Sequence, residues 1–515
     1  MTARSERRAV PPPVPATPDP GVPRTPGTLP AADPPRAGEL PQAGGLPRAD
    51  EIPEAGGLPW IGPLPALLHD GFGYLLRAQR RYGDIYRISV GGLRTVVLNH
   101  PRQLRHVYVD RAGVYEKRGP LFDQMRRVTG NGLAVSRGDI WTAQRRRIQP
   151  LFHHERLAAV ARLLETVAAE QMPLFERAAA RRGGGPVDLG PLLAHTTMKM
   201  TVRAVFGSGI PDSTVRRIGP DMTYIVRHLV LATLMSPLPR WAPRPGDRRF
   251  EAAIRRLDRL LHQVVADRRR AEHRRAEHRR GEHRGDGRQD SGDDLISLLT
   301  ASEDETGARM TPRQVRDETM TLFLAGYETT ALALTWAAHR LATHPASMAR
   351  VGAEADRLPA PGEGWSLEPE LLPYTGAVWD ETLRLTPPIW WNPRWATEDD
   401  AIDGHPIPAG TSVAPLAFVA QRHPDVWERP HDFDPTRFLD APGARRRPRG
   451  EWAPFGLGRE HCIGRELANL EARIVLSALA RRFHLVAPRG RRVRPVPLGT
   501  LRPSPGVRVH LEPRS

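Results

Sequence analysis

One cysteine, Cys462, stands among 515 residues, so no internal disulfide can form and nothing ties the chain to an oxidising compartment. The N-terminus, Met1-Thr2-Ala3-Arg4-Ser5-Glu6-Arg7-Arg8, passes straight into prolines and lacks the apolar run that a signal peptide or membrane anchor needs. Both absences read as a cytoplasmic chain with no membrane anchor. Acidic residues are in deficit: 75 Lys+Arg against 58 Asp+Glu give a formal charge of +17, which raises nucleic acid as a partner. No helix-turn-helix, zinc-ligand spacing or aromatic RNA-binding motif accompanies that charge, and much of it falls in expected loops and tails. The reading is therefore no nucleic acid, and a surface rich in arginine.

What is present begins with Pro, Ala and Gly. They dominate residues 1–56, which cannot bury enough surface to offset ordering entropy and are expected to form a disordered leader. The folded unit is expected over 57–515. A helix is predicted from Phe72 to Tyr82, two strands around Ile85–Ser89 and Thr95–Leu98, and helices over 156–180, 198–206, 221–234 and 248–270. A pentapeptide repeat follows, Arg269-Arg270-Ala271-Glu272-His273 and two near copies. Its histidines recur every five residues, about 140° apart on a helix, so they share no face and make no metal site. The segment of about 268–292 reads as a low-complexity loop insertion.

Thr311-Pro312-Arg313-Gln314 carries a strong helix start, with Thr311 as N-cap, proline in the first turn and Gln314 to close a capping box. No breaker follows before His344-Pro345, which gives an element roughly 50 Å long. Its middle, from Leu322 to Leu332, is apolar nearly all round and should be buried. Glu328 near its centre argues against a membrane span. Gly326, Glu328 and Thr329 are costly inside a buried helix, and a local bulge at Gly326 would account for them.

Phe455-Gly456-Leu457-Gly458-Arg459-Glu460-His461-Cys462-Ile463-Gly464 precedes a long amphipathic run, Arg465 to Phe483. A thiol there meets the open N–H groups and positive end of a helix, which should lower its pKa and suit it to bind iron. Gly458 and Gly464 are expected to allow turns that a side chain would block, and Phe455 to shield the sulfur. Upstream, Trp141 and Arg145 stand four apart on one helical face, where both could reach one carboxylate. Glu381 and Arg384 stand three apart and can pair.

This ordered set, Trp-x-x-x-Arg, Ala325-Gly326-x-Glu328-Thr329-Thr330, Glu381-x-x-Arg384, Phe433-x-Pro435-x-Arg437-Phe438 and the cysteine loop, resembles the cytochromes P450 from about Gly57 onward, in particular actinobacterial members that oxidise terpenes such as pentalenene. The resemblance implies a mainly α fold with small β-sheets and a haem b between the long central helix and the helix after the cysteine loop. It implies Cys462 as the iron ligand and Trp141, Arg145, Ala325, Gly326, Arg394, Phe455, Gly456 and Gly464 as haem contacts. It implies a proton relay through Glu328 and Thr329, a buried network of Glu381, Arg384 and Arg437, and a substrate cavity bounded by Ile389, Trp390 and Trp391, two rings that could equally be packing. The family usually has Arg or His where this chain has Glu460, and Arg459 or His461 would have to neutralise that carboxylate.

The implied activity is monooxygenation of an apolar small molecule: a terpene of secondary metabolism, or a fatty acid or polyketide. Electrons would come from NAD(P)H through a ferredoxin and ferredoxin reductase, to a monomeric enzyme. A non-catalytic haem-binding protein of the same fold is the rival reading.

Overall fold

Apolar residues at helical spacing, with proline and glycine collected at helix ends, make this chain mostly helix. The computed structural model describes residues 52–514 except 59–60, 91–92, 182, 208–211, 237–243, 282–294, 304–306 and 440–449. The expected leader therefore lies mainly outside the described residues. Ile52 and Ala55 are buried and Glu54 bridges Arg87, so the ordered chain reaches further back than Gly57. The apolar side chain of Ile52, packed with Ile85, Val96 and Leu98, provides the reason.

The central helix spans Pro312–Thr343 and begins with the capping box: Gln314 N–H donates to Thr311 Oγ1, and Gln314 Oε1 accepts from Thr311 N at 2.8 Å. Around it pack the helices His154–Arg181, Leu189–Phe206, Pro345–Ala355, Pro373–Leu385 and Arg465–Arg482, whose buried Leu, Val, Ala and Met side chains form one core cluster. A second cluster joins the other flank of the central helix to Asp212–Leu234 and Asp247–Gly281.

The sheets are small. One has five strands in the order Ile85–Val90, Leu93–Leu98, Ser412–Pro415, Arg394–Ala396, Tyr115–Glu116, with the second and third parallel. Another joins Val187–Asp188, Arg508–Pro513 and Phe483–Val486. Two hairpins complete the set: Asp400–Ile402 with His405–Ile407, as the Asp403-Gly404 turn predicts, and Arg494–Leu498 with Thr500–Ser504.

Several expectations need correction. The helices expected from 198 and 221 begin earlier, at Leu189 and Asp212. The first long helix starts at Leu64, not Phe72, although the backbone at Asp70 is non-helical, so its regular part resumes beside the predicted start. The segment expected as a loop from about 268 continues the helix as far as Gly281, because Arg, Ala and Glu are strong helix formers whatever their repetition; residues 282–294 lie outside the described residues. No bulge interrupts the central helix at Gly326.

Candidate functional site

The cysteine loop is closed by its own backbone. Cys462 N–H donates to Phe455 O at 2.7 Å, Gly456 N–H to Ala453 O and His461 N–H to Gly458 O. Gly456 and Gly458 both lie at positive φ, and a Cβ on Gly458 would come within 2.1 Å of Tyr108 O, so glycine is required there. Gly464 differs from expectation: its φ of −87° is open to any residue. Its contribution is the backbone N–H, which bonds the Cys462 sulfur.

Cys462 is accessible to solvent yet lies deep enough that burial pushes its thiol pKa up, against the Gly464 N–H and the charges of Arg145 and Arg465. The expected lowering is thus reversed, since desolvation of a thiolate outweighs one N–H and two cations.

Across the loop, Arg145 is buried and donates from Nη1 to His461 O at 2.9 Å, which ties the helix Gly138–Ile148 to the residue before the cysteine. Trp141, buried on the same face, has two cations near its ring, Lys117 Nζ and the Arg459 guanidinium, each 5.5 Å from its centroid. Arg394 is buried and donates from Nη2 to Glu460 Oε2 at 2.9 Å. Lys117 Nζ lies 3.6 Å from Glu460 Oε1, and burial pushes its ammonium down to about 8. Glu460 is therefore neutralised by Arg394 and Lys117 rather than by Arg459 or His461. Lys117 was missed by sequence reasoning: a lone lysine in Tyr115-Glu116-Lys117-Arg118 has no local signal, and only folding brings it here.

On the central helix, Ala325 is exposed and Gly326 and Thr329 half-exposed, in an element otherwise buried on nearly every side. The three share an arc of about 100°. Thr329 Oγ1 donates to Ala325 O at 2.8 Å. Glu328 points away from that arc, paired with Arg502 and accepting from Thr500 Oγ1 at 3.3 Å. Burial raises its pKa while Arg502 and Arg227 oppose the rise.

Below the central helix, Glu471 of Arg465–Arg482 is buried with Thr330 as its hydrogen-bond partner, and burial pushes its carboxyl from 4.5 up to about 8. It is protonated at neutral pH when folded and ionised when unfolded. Its contribution to stability is complete below pH 4.5 and is lost as the pH rises toward about 8. Glu471→Gln is therefore expected to lose less stability than the parent chain across that range in thermal melts; parallel losses would show that Glu471 ionises freely in the fold.

Glu381 and Arg384 are fully buried. Arg384 Nε and Nη2 clamp the two carboxylate oxygens at 2.6 and 2.8 Å, and its nitrogens also reach the carbonyls of Gln421, Pro430 and Asp432. Arg437 Nε stands 3.5 Å from Glu381 Oε1. Trp390 and Trp391, both half-buried, stack on each other, and Trp390 meets Phe72 edge-on, whereas Ile389 is exposed.

One further cluster, Asp84, His100 and His423, gathers possible metal ligands. Both histidines accept backbone N–H bonds at Nδ1, from Arg102 and Asp425, which leaves the proton on Nε2. His423 Nε2 then serves Asp84 as a donor at 2.9 Å, the chemistry of a structural tie rather than a metal site.

An accessible thiol at a helix start, a strip of small residues on a buried helix that packs against it, and cations collected at one edge form a donor set that fits a flat iron porphyrin with two carboxylates: the class of haem-thiolate proteins. The chain matches the family model described as Cytochrome P450 over residues 52–511. It is 33% identical to cyclooctatin synthase of Streptomyces melanosporofaciens, over 84% of this chain and 89% of that one. It is 28% identical to pentalenene oxygenase of Streptomyces avermitilis, over 86% and 93%. Among solved structures, the heme domain of cytochrome P450DA superposes with a TM-score of 0.77 at 24% identity, covering 91% of this chain and 99% of that one, a likeness of fold. The chain belongs to the cytochrome P450 family. It is a monooxygenase whose cofactor is haem b, and it depends on redox partners for electrons. No helix among the described residues is long and apolar enough to cross a membrane.

Proposed function

We propose that the chain hydroxylates or further oxidises a compact apolar terpenoid in secondary metabolism. Cys462 would hold the iron, and Arg145, Trp141, Lys117 and Arg394 would hold the carboxylate edge of the haem, with Ala325, Gly326, Phe455, Gly456 and Gly464 against its faces. When bound, the haem supplies oxygen activation, and the thiolate donor favours O–O cleavage. The protein's share is binding, orientation and proton supply.

The observation that carries this reading is the strip of Ala325, Gly326 and Thr329 on the central helix. Two small apolar residues leave room for a hydrocarbon close to the haem, and one hydroxyl, Thr329 Oγ1, could pass a proton once it turns from Ala325 O. Glu328, pushed toward its protonated form by burial but opposed by Arg502, would resupply that hydroxyl when its pairing with Arg502 opens. The substrate class rests on two relatives named for terpenoid chemistry, cyclooctatin synthase and pentalenene oxygenase.

Electrons would come from NAD(P)H through a ferredoxin reductase and an acidic ferredoxin. The exposed Arg146 beside buried Arg145 supports a basic docking face. A monomer in the reducing cytoplasm suits a protein whose one thiol must stay free for iron.

A panel of terpenes, fatty acids and polyketides, read by the shift of the haem absorption band on binding, tests the substrate class: a response confined to terpenoids is expected, and a response confined to fatty acids or polyketides would overturn it. With a responding compound, Thr329→Ala is expected to keep consuming oxygen while product formed per oxygen falls several-fold. Equal coupling in the variant and the parent would remove Thr329 from the proton route.

A further inference from the structure

On the haem edge proposed above, on which this inference rests, Glu460 is a carboxylate set among the cations that would hold the haem's own carboxylates. Arg394 is 4% exposed and Lys117 6% exposed, and Glu460 touches both, at 2.9 and 3.6 Å. Its charge also acts on Arg145, while Arg459 adds a further positive charge beside Lys117. Arg394 already has partners for three of its five N–H groups. Its Nη1 is engaged by Asn392 Oδ1 at 2.7 Å and Pro393 O at 2.9 Å, and its Nη2 by Glu460. Lys117 Nζ likewise already serves Leu133 O at 3.1 Å.

We propose that Glu460 is a resident counter-ion of the haem-edge cations, which weakens the hold on haem and biases its iron toward the ferric state. A haem carboxylate approaching Arg394 or Lys117 meets cations whose charge Glu460 already partly balances, so it gains only the surplus of a charge-assisted contact. A fixed negative charge near the haem also opposes the addition of an electron, because the ferrous form carries one positive charge fewer than the ferric form. Glu460 takes part in no bond making; it is a positioning residue that acts through Arg394 and Lys117.

The test uses the haem-loaded full chain and Glu460→Gln, which keeps the side-chain shape and removes the charge. Ferric haem is drawn off with an excess of a haem-scavenging apoglobin, and the midpoint potential is measured by reductive titration against a reference dye. The variant is expected to release haem roughly tenfold more slowly, the size of one charge-assisted hydrogen bond, and to show a more positive midpoint. Glu460→His is expected to shift both in the same direction. Both readings are taken on the loaded fraction, so a reduced yield does not affect them. The proposal needs both changes. Haem release at the parent rate or faster would make Glu460 a strut that orients Arg394, and an unmoved midpoint, or failure of both variants to take up haem, would equally overturn it.

Discussion

Replacing Cys462 by serine is expected to abolish turnover and to remove the red-shifted absorption band that a thiolate-ligated haem shows when reduced and treated with carbon monoxide. Cys462 is the chain's one thiol, and a serine hydroxyl does not donate charge to iron as a thiolate does. The loop should survive the change. Its closure is made by backbone atoms, Cys462 N–H to Phe455 O and Gly456 N–H to Ala453 O, and the conformations that need glycine are at Gly456 and Gly458. A variant that folds, takes up haem and lacks the band would assign the ligand to this sulfur. A variant that retains both band and turnover would sink the assignment, and with it the proposed chemistry.

The second large effect falls on stability. Arg384→Ala is expected to cost about 3–5 kcal/mol, the usual penalty for stranding one member of a buried ion pair. Glu381 and Arg384 both have side chains 0% exposed. Without the arginine, the carboxylate would keep only the Asp434 N–H at 2.9 Å and the more distant Arg437. The carbonyls of Gln421, Pro430 and Asp432 would lose their donor at the same time. Against a total stability of about 5–15 kcal/mol, the loss should show as a much lower denaturation midpoint and a smaller haem-loaded fraction. Arg384→Lys should rescue little, because an ammonium cannot span both carboxylate oxygens and the carbonyls together. An alanine variant within about 1 kcal/mol of the parent would mean that the network's worth had been misjudged.

Local chemistry explains how far the chain could be read in advance. The central helix was legible to the residue at its start, because Thr311, Pro312 and Gln314 satisfy the open N–H groups of a helix end by themselves. The Glu381 to Arg384 pair was legible for the same reason, both partners standing one turn apart on a single helix. Where neighbours along the chain do not decide, the reading failed. The histidine-bearing repeat misled by its low complexity, although its Arg, Ala and Glu favour a helix and continue one as far as Gly281. The direction of the Cys462 shift turned on how much protein surrounds the sulfur.

Residue order alone determined the kind of site: one cysteine between glycines and a helix start, an acid and a hydroxyl at the middle of a long apolar helix, and a glutamate where a cation is usual. Those features depend on spacing within single elements, which backbone geometry converts directly into shared faces and capped ends. Tertiary structure alone decided which charges meet. Lys117, Arg394 and Glu460 come from three separate segments, and Glu328 and Arg502 from two. Electrostatic energy depends on separation and burial in space, which position along the chain does not encode.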